Sequence, residues 1–406
     1  VKKKLLLLHL PIMVHLASAL LLAGTAFAIP AREIFQRDAA CSISATYPAV
    51  NNAKLPDPFT FASGKKVSTM DDWTCRVQEI SKIMQQYELG TYPPAPDSVK
   101  GTLSGTGISV AVTVGGKSVT FTASIKKPSG NGPFPAIITI GGSSLPIPST
   151  VATINFGNDA FAAQTSGSSR GQGSFYTLFG ASHSAGALTA WAWGVDRLID
   201  ALEQVKDTSG IDTTRLGVTG CSRNGKGAFI VGALVNRIAL TLPQESGSGG
   251  AACWRISDSQ HSSGANIQTA GEIVGENVWF SKNFDQYSKA TSTIPEDHHM
   301  LAALIAPRGL FVIENDIDWL GPVSTTGCMK AARLIYKAVG APNNMGFSLV
   351  GGHSHCQFPS AQSTDLNTYI DYFLLKSGTA PGAIEKSSSN VDVSTWAPWT
   401  VPTIGS

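Results

Sequence analysis

Apolar and polar positions follow two different rhythms along this chain, and the change between them outlines a fold. Residues 99–113 and 118–126 alternate around Val114-Gly115-Gly116-Lys117, which predicts a β-hairpin with one wet face. The run 134–140 is too apolar for a wet face and ends in Gly141-Gly142, as a buried parallel strand would. Helical spacing and short apolar runs then take turns. Helices are predicted over 185–205, 225–237, 298–305, 327–339 and about 364–376, with strands over 215–219, 238–242, 309–314 and 345–350. A Gly/Ser-rich loop with inserted segments fills 243–294. Strand and helix in alternation predict an α/β fold, a three-layer sandwich whose mostly parallel central sheet is covered by helices.

Ahead of these elements, Lys2, Lys3 and Lys4 precede a leucine-rich run ending in Ala26-Phe27-Ala28, the pattern of a secretory signal over residues 1–28. Pro11 and His15 interrupt that run, and no other apolar stretch is long enough to span a bilayer, so no membrane association is expected once the signal is cleaved. The rest divides into an irregular N-terminal segment over 29–55, pinned by Cys41, a single catalytic domain over 56–385 and a C-terminal tail over 386–406. Without the three signal lysines, 27 basic side chains face 28 acidic ones, which removes nucleic acid as an expected partner. Cys41, Cys75, Cys221, Cys253, Cys328 and Cys356 make an even set, and in an exported chain these predict disulfides. None forms a C-x-x-C pair, so no metal site is expected.

Candidate chemistry gathers at Gly220-Cys221-Ser222-Arg223-Asn224-Gly225-Lys226, between a predicted strand and a predicted helix. A serine at so tight a turn reads as a nucleophile elbow, although Asn224 stands where G-x-S-x-G needs glycine and Gly225 follows one place later. A base is expected after the last strand, where His353 and His355 compete. Cys221 precedes Ser222 and Cys356 follows His355, so a disulfide between those cysteines would bring Ser222 to His355 and leave His353 a structural role. His183 and His261 read as ordinary hydrogen-bonding residues, and Asp297 before His298-His299 as the cap of a helix. For the acid, generic chain order nominates Asp316 or Asp318, and Glu245 also reaches the carboxyl edge of the sheet. Spacing leaves all three open.

The elbow, the segment Gly351-Gly-His353-Ser-His355-Cys356, the cysteine placement, Gly141-Gly-Ser-Ser, Gly180-Ala-Ser-His-Ser-Ala-Gly, Thr189-Ala-Trp-Ala-Trp-Gly and Leu301-Ala-Ala-Leu-Ile-Ala-Pro-Arg together resemble the fungal glucuronoyl esterases, a carbohydrate esterase family. The resemblance runs from about residue 41 to residue 376 and implies an α/β-hydrolase fold. It implies Ser222 as nucleophile, His355 as base, Glu245 as acid and Arg223 as oxyanion stabiliser. It further implies sugar contacts from Lys226, Gln268, Glu276 and Trp319, and disulfides Cys41 with Cys75, Cys221 with Cys356 and Cys253 with Cys328. The implied activity is cofactor-free hydrolysis of esters of 4-O-methyl-D-glucuronic acid, in plant cell-wall glucuronoxylan and lignin-carbohydrate esters, by a secreted monomer. An acetyl-xylan or feruloyl esterase with the same triad is the competing enzyme reading. A carbohydrate-binding wall protein with a decayed serine is the competing non-enzyme reading.

Overall fold

The computed structural model describes residue 1 and residues 41–404, so the expected signal falls outside the described residues apart from Val1. Ten strands form one sheet. β1 (Ser98–Ser104), β2 (Gly107–Val114) and β3 (Lys117–Lys126) make an antiparallel meander, not the single hairpin that the alternation predicts. The run 99–113 folds back at Gly105-Thr106, where Ser104 pairs with Gly107 across a two-residue turn. A turn that short leaves the alternation looking unbroken. β5 (Ala152–Phe156) runs antiparallel to β3 and parallel to β4 (Phe134–Ile140), joining the meander to the parallel part. From β4 the sheet continues through β6 (Ile211–Cys221), β7 (Ile238–Gln244), β8 (Gly309–Glu314), β9 (Met345–Leu349) and β10 (Glu385–Lys386), each parallel to the last.

The main helices are α1 (Met70–Met84), α2 (Ala187–Gln204), α3 (Arg223–Leu234), α4 (Trp254–Ser262), α5 (Ala270–Glu276), α6 (His299–Ile305), α7 (Pro322–Ala338) and α8 (Ser363–Ile370). Successive residues of the central strands point to opposite faces. Leu310 and Val312 of β8 join a large core with side chains of α1 to α7, whereas Phe311 and Ile313 join a smaller one with Leu366, Tyr369 and Ile370 of α8. Phe311 stacks on Tyr369 with ring centroids 4.7 Å apart. Each such fully buried side chain contributes roughly 1.5–3 kcal/mol. A parallel sheet with helices on both faces and a serine elbow at a strand's carboxyl end is an α/β-hydrolase.

Two outer segments are held by long-range bonds. The Leu55 N–H donates to the Trp396 carbonyl at 2.9 Å and the Trp399 indole N–H donates to the Leu55 carbonyl at 3.2 Å, so the C-terminal segment lies across the N-terminal one. Asp297 does not cap the helix that follows it, as the sequence suggested: the N-cap of α6 is His298, and no side chain caps it. Its carboxylate accepts from Trp254 N at 2.7 Å and Arg255 N at 3.1 Å in the first turn of α4, as well as from His298 N at 2.8 Å. The open N–H groups of α4 are the reason, since no side chain of its own N-cap, Cys253, satisfies them.

Candidate active site

Three disulfides are present, Cys41–Cys75, Cys221–Cys356 and Cys253–Cys328. The second sets the geometry. It fastens the end of β6 to the loop after β9, with Cα atoms 5.8 Å apart. A His355 ring nitrogen lies within 4.8 Å of both sulfurs, one of which belongs to the residue before Ser222. Both sulfurs are consumed in the S–S bond, so this trio offers no thiolate to a metal.

Ser222 heads α3 with φ 59° and ψ −126°, a left-handed backbone that lifts its side chain out of the line of the strand. Neighbouring chain comes very close. A Cβ at Gly220 would meet the Asn224 carbonyl at 2.4 Å, and one at Gly225 would meet the Gln244 carbonyl at 2.4 Å. Glycine is therefore needed at 225, and Asn224 is free to keep a side chain. Its Oδ1 accepts from Asn158 Nδ2 at 3.2 Å and Gln164 Nε2 at 3.3 Å.

Glu245 follows β7, is 1% exposed and has φ 43°. Its Oε2 accepts from His355 Nδ1 at 2.7 Å and from Cys356 N at 2.9 Å. A carboxylate on Nδ1 orients the ring so that Nε2 can act as base. That Nε2 is buried and has no hydrogen bond among the described residues, so the expected bond from Ser222 Oγ is not made in this rotamer. In unliganded sites this bond is often long and closes with substrate. Asp316 and Asp318 are exposed, and Asp316 lies against Gly351, while the Nδ1 of His355 is taken by Glu245. His353 donates from Nε2 to the Val350 carbonyl at 2.7 Å and takes Asn315 Nδ2 at 3.2 Å on Nδ1, a bracing role.

The residues expected to meet sugar surround this centre. The Trp319 ring stands edge-on to His355, centroids 4.8 Å apart. Trp319 O accepts from Gln268 N at 3.3 Å, and Gln268 Nε2 donates to Glu276 Oε2 at 3.3 Å. Arg223 is exposed beside Ser222, with its guanidinium 5.7 Å from the Trp279 ring centroid. Lys226 differs from the open donor that the sequence suggests. It is 4% exposed, sits 5.8 Å from the same indole and donates to the Ser246 carbonyl at 2.5 Å. Burial lowers its ammonium to about 8, against the upward pull of Glu314 and Glu276.

Three contributors escaped the sequence reading. Trp279 backs both cations and donates from its indole N–H to Gln164 Oε1 at 2.7 Å. Both lie in loops with no periodic signal. Glu314 closes the apolar strand β8, and a lone charge ending such a strand was a signal that could have been used.

A model of the family described as glucuronyl esterase, fungi, matches residues 110–340. The 4-O-methyl-glucuronoyl methylesterase of Neurospora crassa is 69% identical, over 97% of this chain and 100% of that protein. The solved structure of recombinant glucuronoyl esterase from Sporotrichum thermophile is 69% identical with a TM-score of 0.89, over 90% of this chain and 100% of that one. A mutant of that enzyme, solved in complex with methyl 4-O-methyl-beta-D-glucopyranuronate, is also 69% identical with a TM-score of 0.89, over 90% of this chain and 99% of that one. At this identity and coverage the chain belongs to the fungal glucuronoyl esterases.

Proposed function

We propose that this protein hydrolyses esters of 4-O-methyl-D-glucuronic acid through Ser222, His355 and Glu245, acting outside the cell as a monomer on glucuronoxylan side groups esterified to lignin alcohols. The observation that carries the reading is the 2.7 Å bond from His355 Nδ1 to Glu245 Oε2, beside an elbow serine tied to the same loop by Cys221–Cys356. The relatives named for this ester, and the mutant solved with its methyl ester, supply the substrate class.

His355 Nε2 takes the Ser222 proton as Oγ attacks the ester carbonyl, and Glu245 stabilises the imidazolium that results. The oxyanion faces the N-terminus of α3 and the Arg223 guanidinium, where positive charge is fixed in advance. His355 returns the proton to the departing alcohol. Water, deprotonated by the same nitrogen, then releases the uronate. Gln268, Glu276, Lys226 and Trp319 form the polar and aromatic rim for the sugar, with Lys226 acting partly through Ser246.

The test offers purified protein methyl 4-O-methyl-glucuronate, acetylated xylan and a feruloyl ester side by side. The reading expects turnover of the glucuronate ester at least about 100-fold above the other two, because a site that hydrogen-bonds substrate hydroxyls and carboxyl rejects groups lacking them. Turnover of acetyl or feruloyl esters alone overturns it, and turnover of none favours a binding protein.

A further inference from the structure

We propose that Glu314 is a positioning residue for the triad acid, gripping the chain just after Glu245 and so fixing the left-handed turn from which Glu245 reaches His355. This inference rests on Glu245 being that acid.

Glu314 is the last residue of β8 and is 1% exposed. One of its oxygens, Oε1, accepts three hydrogen bonds, from Ser246 N at 2.8 Å, Ser246 Oγ at 2.8 Å and Gly247 N at 3.3 Å. From the other side the buried Lys226 ammonium donates to the Ser246 carbonyl at 2.5 Å. The residue after Glu245 is thus clamped between a carboxyl on its N–H and hydroxyl and an ammonium on its C=O. The strand that carries Glu314 also holds the residue before that clamp, since Glu245 N donates to the Ile313 carbonyl at 2.7 Å. A φ of 43° is sparsely populated for glutamate and persists only where the surroundings over-determine it.

The arrangement is costly, which argues that it has a task. Glu314 Oε2 is buried with no hydrogen-bond partner among the described residues, and no cation touches the carboxyl directly. When ionised, a buried carboxyl with one oxygen unpaired and no counter-ion in contact carries a desolvation cost that an amide in its place would not. None of its hydrogen bonds reaches Ser222 or His355, so its effect passes through Glu245.

The test measures kcat and KM on methyl 4-O-methyl-glucuronate for variants shown to be folded by circular dichroism. Glu314→Ala is expected to lower kcat about 10- to 100-fold with KM within about twofold, since a catalytic group misplaced by up to an ångström costs that much. Glu314→Gln, whose amide oxygen accepts the same three donors, restores kcat to within about threefold of wild type. A wild-type kcat in Glu314→Ala, an equal loss in both variants, or a loss confined to KM overturns the inference. Where Glu314→Ala does not fold, Ser246→Ala decides, as it removes one of the three bonds: a fall in kcat of about threefold at constant KM supports the clamp, and an unchanged kcat overturns it. Glu245→Ala is run in parallel. If it keeps the wild-type kcat, the assignment of the acid itself fails. If it is slow while Glu314→Ala is not, only the clamp fails.

Discussion

Ser222 occupies a backbone conformation that an L-residue adopts only at a cost of about 1–3 kcal/mol, and it does so because the turn must present Oγ above the sheet. Strain of this kind is separable from chemistry. Ser222→Ala keeps the strain and Ser222→Gly relieves it, so the glycine variant is expected to be the more stable of two inactive proteins by about 1 kcal/mol. Thermal denaturation of the pair checks this, and an alanine variant of equal or greater stability would show the turn to be unstrained. At the same scale Gly225 answers the departure from the usual elbow. The close approach to the Gln244 carbonyl falls at 225, one residue later than the motif places its glycine, so Asn224 can hold Asn158 and Gln164 in place.

Between elements, the coupling of β6 to the loop after β9 depends on Cys221–Cys356, which spans 135 residues of sequence. Replacing both cysteines with alanine is expected to remove about 4–5 kcal/mol of stability on the loop-entropy account. It also frees the loop that carries His355, so kcat should fall more than KM rises. Denaturant titration and steady-state kinetics read the two effects, and an undiminished kcat would show that packing alone places the base. The parallel strands β4, β6, β7, β8 and β9 and the elbow were legible in the sequence because buried strands read as apolar runs and the serine turn has a fixed glycine pattern, whereas β5 and the two-residue β10 were not. The meander was not, since the turn at Gly105-Thr106 hides inside an unbroken alternation. Nor was the acid: Glu245, Asp316 and Asp318 all follow strands, and only the path of the loop after β7 turns a carboxylate onto His355. Trp279 and Gln164 were invisible for the same reason, being loop residues defined by partners far away in sequence.

Across the whole molecule, several buried groups bind protons more tightly folded than unfolded. Burial pushes the Glu314 carboxyl up to about 7 and the Glu296 carboxyl well above its usual range. His298 is raised too: burial opposes its charge, but Glu88 at 2.7 Å outweighs it, and its other nitrogen faces the Gly250 carbonyl at 2.6 Å. For each of these groups the stabilising contribution is complete below the unfolded value, 4.5 for the glutamates and 6.5 for the histidine, and is lost as pH rises through the folded value. Glu314 alone accounts for roughly 3 kcal/mol between pH 4.5 and about 7. Asp72, held down by its hydrogen bond from Lys65, works in the opposite sense only below its unfolded 3.8. His299, which burial lowers to about 4, works in the opposite sense up to its unfolded 6.5, so stability is expected to fall from about pH 6.5 to pH 8 in urea titrations, and Glu314→Gln is expected to flatten that slope. A slope unchanged by the substitution would contradict the assignment. Every step of the proposed reaction passes through Ser222. The most direct measurement is kcat/KM of Ser222→Ala on methyl 4-O-methyl-glucuronate in folded protein: a loss of about 10⁴- to 10⁶-fold is predicted, and hydrolysis at the wild-type rate would contradict it.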